Sequence, residues 1–195
     1  ILSFVIILFI GIACVPFFGR ISPGVQYQGV KLGFLTETKA KEKLEKAQED
    51  FKDEDVVLIN GKRKGKVSAG MLGLSLSPDE AAKEALVLSE NTSFFKRPFI
   101  AIGKKDVDVP LIVDKSVLSK GLEKLNGTLY DGAKPARVAL QGEKVVVENG
   151  ELGEAINLDD AASKLSKGIE KPVELKAEEI MPSVSAESLQ GIDSV

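Results

Sequence analysis

Thr36–Leu74 reads TETKAKEKLEKAQEDFKDEDVVLINGKRKGKVSAGMLGL, and this stretch decides the fold class. Thr36 is a good helix cap, and Ala40, Leu44, Ala47 and Phe51 then recur at helical spacing, which predicts a helix over Glu37–Phe51. Val56–Ile59 follows as a short β-branched run. Asn60-Gly61 is a hairpin turn signal, Lys62–Lys66 is basic and polar, and Val67 resumes the strand. Ser68–Leu72 predicts one capped helical turn. A helix followed at once by a local hairpin favours an α+β arrangement over a doubly wound parallel sheet.

The same grammar continues on both sides. Upstream, Val25–Leu32 alternates weakly and predicts one strand. Downstream, Ser77-Pro78-Asp79-Glu80 is a helix start with Ser at the cap, Pro at the first position and Glu three after the cap. That helix carries Ala81, Ala82, Ala85, Leu86 and Leu88 and ends near Asn91. Arg97–Val113 predicts two strands around Gly103-Lys104-Lys105. Asp114 caps a helix with Val117, Leu118, Leu122 and Leu125, ended by Asn126-Gly127. Pro135–Gln141 and Lys144–Val147 predict a second hairpin. Asn157 caps a fourth helix with Ala161, Leu165 and Ile169 inward, Val173–Leu175 is a strand, and Ser185–Leu189 a last helical turn.

Two stretches echo each other as related β-α-β units. Leu32-Gly33, a helix, Val56–Leu58 and Val67-Ser68-Ala69 are matched by Leu152-Gly153, a helix, Val173–Leu175 and Val184-Ser185-Ala186. The separation from Leu58 to Val67 equals that from Leu175 to Val184, nine residues. Two copies do not make a solenoid.

Residues 1–19 stand apart. Ile1–Phe18 (ILSFVIILFIGIACVPFF) carries no charge, and as a helix it would be about 27 Å long, close to the ~30 Å hydrocarbon core. The expectation is one transmembrane or signal-anchor helix over residues 1–19 with an α+β body over 20–192, held single-pass in the cell membrane with the body extracytoplasmic. Three other readings stay open: a cleaved signal peptide using Gly11 and Ala13, a lipoprotein signal ending at Cys14, and a buried core helix. Arg20 marks the membrane exit, and Ile21-Ser22-Pro23-Gly24-Val25 forms a turn-rich neck.

Composition excludes much chemistry. The 195 residues include no His, no Trp and one Cys, so no Ser–His–Asp triad, Cys–His dyad, His/Cys zinc site or intrachain disulfide can form. A net charge of −3 argues against nucleic acid as a partner. The carboxylate groups Asp53/Glu54/Asp55, Asp79/Glu80, Asp159/Asp160 and Glu178/Glu179 could serve acid–base work, but they read better as helix-start charges and solvated loop tips. No calcium-loop spacing occurs, and no catalytic, cofactor or metal residue is assigned.

Gly61–Lys66 (GKRKGK) lacks the Gly-Lys-Ser/Thr ending of a phosphate loop. It reads as a solubilising hairpin tip or as an attractor for an anionic polymer or lipid headgroups, as do Lys96-Arg97 and Lys104-Lys105. Sugars commonly stack on exposed aromatics. Tyr27 is available, Phe94, Phe95 and Phe99 read as core, and Tyr130 in the Gly127–Gly132 loop is the best exposed candidate. The alternative to glycan stacking is capture of a peptide at a strand edge or in a groove.

The order of several landmarks resembles the peptidoglycan-binding domain found between a membrane anchor and a VanW-like or L,D-transpeptidase domain in bacterial envelope proteins. The landmarks are Ile21–Val25, Gly29-Val30 and Leu32-Gly33; Val67-Ser68-Ala69 with Leu72-Gly73-Leu74; the Ala-rich helix after Ser77; Pro135-Ala136-Arg137-Val138; Glu148–Gly153 (ENGELG); Val173-Glu174-Leu175; and Pro182-Ser183-Val184-Ser185. The resemblance covers roughly residues 21–192. It departs at Lys66-Val67, where an aromatic is frequent. It implies a non-catalytic module outside the cytoplasm that binds peptidoglycan or positions a wall-acting domain; the alternative is a structural spacer or protein-interaction domain without glycan affinity. The His and Cys of a transpeptidase are absent from the body.

Overall fold

The computed structural model describes residues 19–91, 104–141 and 144–185. They form an α+β body of four α-helices and small sheets. No helix among them is long and apolar enough to cross a membrane. The apolar head at residues 1–18, Lys96-Arg97, Phe94, Phe95, Phe99, most of the first strand expected over Arg97–Val113 and the helical turn expected over Ser185–Leu189 lie outside the described residues.

The helices follow their caps. Helix α1 spans Glu37–Lys52, and the Thr36 hydroxyl accepts from the Lys39 N–H at 3.4 Å. Ala40, Leu44 and Phe51 are buried, so its apolar stripe faces inward. Helix α2 spans Pro78–Glu90 and packs on α1 through Ala81, Ala82 and Ala85, which are small enough for close approach. The expected Ser77 capping box is not made. Ser77 is buried, and its hydroxyl donates to the Pro110 carbonyl at 2.9 Å instead. A buried carbonyl needs a donor, whereas a helix N-terminus near the surface has water.

Helix α3 spans Lys115–Glu123. The Asp114 carboxylate accepts from the Ser116 and Val117 N–H groups at 2.9 and 3.2 Å, and these bonds, with the Ser116 hydroxyl first, hold its pKa below the usual carboxylate range. Helix α4 spans Leu158–Leu165, with Asn157 capping Asp159 and Asp160. Between α1 and α2 a 3₁₀ turn at Gly70–Leu72 carries α3 on its surface.

The strands are short and pair less locally than expected. Strands β1 (Val25–Tyr27) and β2 (Val30–Lys31) are antiparallel, so the single strand expected over Val25–Leu32 is a hairpin. Its two linking residues, Gln28 and Gly29, both have left-handed φ, 46° and 77°, the geometry that matches strand twist. A Gln at that φ is uncommon, which hides the turn from sequence.

Strands β3 (Asp55–Asn60) and β4 (Arg63–Ser68) form the expected hairpin, but Gly61-Lys62 is the turn and the basic run belongs to β4 itself. Gly65 faces inward there. A Cβ at Gly65 would stand 3.3 Å from the Leu125 side chain, so the backbone is packed close beneath the end of α3.

Strand β5 (Leu74–Ser75) pairs with β7 (Ile112–Val113). Strand β6 (Lys105–Asp106) joins β1 in parallel. Strands β8 (Arg137–Gln141) and β9 (Lys144–Glu148) form the second expected hairpin. Strand β10 (Gly153–Ile156) pairs with β12 (Ala177–Ile180), and β11 (Val173–Glu174) lies parallel to β3, with Val173 opposite Leu58.

The echoed units therefore share a helix-then-strand order, and their strands β3 and β11 lie side by side. Their partners then diverge: β4 returns to β3, whereas β12 pairs with β10. The core runs through all of these elements. Leu44, Leu58, Leu72, Leu118, Leu129, Leu165 and Leu175 are each almost fully excluded from solvent.

Candidate functional site

Three chain segments meet at one groove. The first is the β1–β2 turn, which presents Gln28. The second is Asp106–Pro110, which leads on from β6 without further regular structure, with Val107 buried between exposed Asp106 and Asp108. The third is the link after α4, with Lys167, Gly168, Glu170 and Lys171. Together they line a groove of about 370 Å³, within the ~300–1,000 Å³ range of ligand sites.

The Asp106–Pro110 run is held at its ends. The Val107 N–H donates to the Gln26 carbonyl at 2.9 Å, and the Leu111 N–H donates to the Ser166 carbonyl at 2.7 Å. The Pro110 carbonyl accepts from the Ser77 hydroxyl at 2.9 Å and from the Tyr27 hydroxyl at 3.4 Å. Burial raises the Tyr27 pKa, and its bonds to Ser77 oppose that rise. Between these anchors, no hydrogen bond among the described residues engages the backbone of Asp108 or Val109.

Gly168 closes the wall opposite. Its φ is +129°, and a Cβ there would stand 3.1 Å from the Gln28 amide nitrogen, so the link passes tightly against the hairpin tip. The charges are Asp106, Asp108, Glu170, Lys167 and Lys171. All five are exposed, and none makes an ion pair with a described residue.

That sets the groove apart from a second hollow of about 490 Å³, lined by Asn126, Asp131, Lys134, Glu151 and Leu152 among others. There the charges are consumed within the protein. Lys134 bridges Glu151 at 2.6 Å, Arg63 bridges Asp131 at 2.7 Å, and the Asn126 side-chain oxygen accepts from the Gly132 N–H at 2.8 Å. Its polar groups hold three loops together, whereas the five charged side chains of the groove have no ion-pair partner among the described residues.

The residues singled out in the sequence fall mostly elsewhere. Asp53 ends α1, and Asp55 opens β3 and pairs with Lys66 at 2.7 Å. Glu54, between them, has a raised pKa from partial burial, with the Glu170 charge adding to it. Asp79 and Glu80 lie in the first turn of α2, and Asp79 pairs with Lys41 at 2.5 Å. Asp159 and Asp160 lie in the first turn of α4, paired with Lys115 at 2.6 Å and Lys164 at 2.7 Å. Glu178 and Glu179 are not at a loop tip or helix start but in β12, opposite Ala155 and Glu154.

In the Gly61–Lys66 run, Arg63 and Lys66 are occupied by Asp131 and Asp55, which reduces the charge it offers an anion. Tyr130, expected to be exposed, is 9% accessible and donates to the Leu122 carbonyl at 3.3 Å. Tyr27 is fully buried. Among the described residues the exposed aromatic is Phe34, and one ring makes a poor sugar platform.

Sequence reasoning named none of the groove residues. One signal was present: Asp106-Val107-Asp108-Val109-Pro110 alternates polar and apolar, ending in a residue that cannot continue a ladder. Among the described residues no group of three His, Cys, Asp or Glu could hold a metal ion.

A family model described as "Putative peptidoglycan binding domain" matches residues 65–177, more than half of the chain. The match runs from mid-β4 to the start of β12 and takes in both Asp106–Pro110 and Lys167–Lys171. No curated protein and no solved structure matches the chain.

Proposed function

We propose, on the premise that this chain belongs to the peptidoglycan-binding domain family, that it holds the cell wall through the groove between Asp106–Pro110 and Lys167–Lys171. The family is a binding module, and a cell-wall binding role follows from membership. The groove supports the placement because five charges and the Asp108 and Val109 backbone, without partners among the described residues, are groups a polar polymer can satisfy.

The same reading makes residues 1–19 a membrane anchor and 20–192 a body outside the cytoplasmic membrane. The support is the uncharged run Ile1–Phe18, long enough to span, followed by a highly charged remainder. A VanW-like or L,D-transpeptidase domain carried on the same polypeptide would be positioned against the wall by this module. Catalysis is not assigned to it.

The test is co-sedimentation of the full chain, in detergent micelles, with purified sacculi. The pelleted fraction should rise saturably with sacculi and exceed that of a size-matched control protein. Pelleting no greater than the control would overturn wall binding and leave a spacer. For the anchor, a tagged chain expressed in a bacterial host should fractionate with membranes and be cut by protease added to spheroplasts. Recovery in the soluble fraction, or protection from protease, would overturn that placement.

A further inference from the structure

We infer that the groove binds the stem peptide of the wall rather than its glycan, as an extended segment laid along Asp106–Pro110; this rests on the wall-binding reading above. Three observations point to a peptide. The first is the backbone. Asp108 and Val109 lie between the anchored Val107 and Leu111, their backbone groups without a hydrogen bond among the described residues, and Pro110 biases Val109 toward an extended conformation. Val107 bonds toward β1 and successive residues point to opposite edges, so an extended peptide along the outer edge would satisfy the Asp108 groups strand-fashion. Five residues from Asp106 to Pro110 reach about 16 Å at ~3.3 Å per residue, the length of a peptide of four or five residues.

The second is charge. Lys167 and Lys171 line one wall, and Asp106, Asp108 and Glu170 complete the set. Neutral sugar hydroxyls have no need of both signs. A short peptide with a free terminal carboxylate and a side-chain ammonium group does, and that is the chemistry of a stem peptide carrying a diamino acid. The lysines take the carboxylate and the acids take the ammonium group. All five side chains are already exposed, so little desolvation is needed before binding.

The third is what is missing for a sugar. Tyr27 and Tyr130 are buried, and none of the residues lining the groove is aromatic. Gln28 stands at the groove with a φ of 46°, an uncommon conformation, and its amide has no hydrogen bond among the described residues. An amide can donate to and accept from a peptide backbone at once.

The experiment titrates the full chain in detergent with two soluble probes by calorimetry. One is a tetrapeptide stem with a diamino acid at its third position; the other is the peptide-free wall disaccharide. Both are also used as competitors in the sacculus assay. The tetrapeptide should bind saturably and release the protein from sacculi, and the disaccharide should do neither. Lys167→Glu with Lys171→Glu should weaken the tetrapeptide at least ~10-fold, the scale of one lost charge-assisted bond, with the melting temperature unchanged. Amidating the peptide's terminal carboxylate should weaken binding to the parent chain but not further weaken it to the double variant.

Sacculus binding that the tetrapeptide does not compete, or that the disaccharide does, overturns the peptide inference while leaving wall binding intact. Tetrapeptide binding untouched by the lysine pair overturns the groove as its site. Failure to bind sacculi and tetrapeptide alike removes both readings.

Discussion

Gly153→Ala should destabilise the protein by about 3 kcal/mol or more and lower its melting temperature by roughly 6–12 °C. Gly153 opens β10, where the strand passes directly beneath the 132–134 backbone. A Cβ at that position would overlap the Ala133 nitrogen and Cα and the Gly132 carbonyl carbon. All three are main-chain atoms, so no rotamer change relieves the contact, and one of the two segments must move.

Moving either disturbs the Lys134–Glu151 bridge pair and the bond from the Glu154 N–H to the Asp131 carbonyl. Gly127→Ala is the matched control. Its φ is +82°, and nothing lies within 4 Å of the added Cβ, so it pays conformational strain alone, about 1–2 kcal/mol. Thermal melting of both variants separates overlap from strain. Melting of Gly153→Ala within a degree or two of the parent would show that the two segments do not approach as described.

Leu58→Ala should cost about 2–5 kcal/mol, a large share of a typical ~5–15 kcal/mol. Leu58 is inaccessible to solvent on the middle strand of the β11–β3–β4 sheet, opposite Val173 on one side and Gly65 on the other. Gly65 offers no side chain to slide into the space, so the cavity would persist. Ile59→Ala, one residue on and only half-buried on the opposite face, should cost clearly less. Denaturant unfolding of the two variants gives the comparison, and equal losses would contradict the register of β3.

Local chemistry made the helices legible. Thr36, Asp114 and Asn157 accept from the helix N–H groups where their caps were expected, because a cap is satisfied within three residues of itself. Ser77 failed for the opposite reason: a carbonyl 33 residues away competed for its hydroxyl. The β3–β4 and β8–β9 hairpins were legible on the same local grounds, the first turning one residue later than Asn60-Gly61 suggested.

Val173–Leu175 was legible as β11, but β5, β10 and β12 were not, since they find partners far along the chain and are too short to show alternation. The groove is assembled from residues 28, 106–110 and 167–171, which no window of sequence contains together. Tyr130 misled because its loop is polar, while its ring turns inward beneath α3 and its hydroxyl finds the Leu122 carbonyl. The glycines of Glu148–Gly153 were noticed as a motif. Their reason is tertiary: Gly150 lies against the Lys134 carbonyl and Pro182, and Gly153 against Ala133.

The neck carries a mechanical consequence. Ile21 exchanges backbone hydrogen bonds with Leu35 and Phe34, and the Ser22 N–H donates to the Ser89 hydroxyl, which is itself bonded to the Ala85 carbonyl inside α2. Ile21 and Ser22 are buried, so no slack hinge separates them from the core. Tension applied ahead of residue 20 would therefore load the middle of the body before any strand could peel. The groove beside Gln28, only a few residues along, would keep a constant bearing relative to the point of pull, as a cleat does on a taut line.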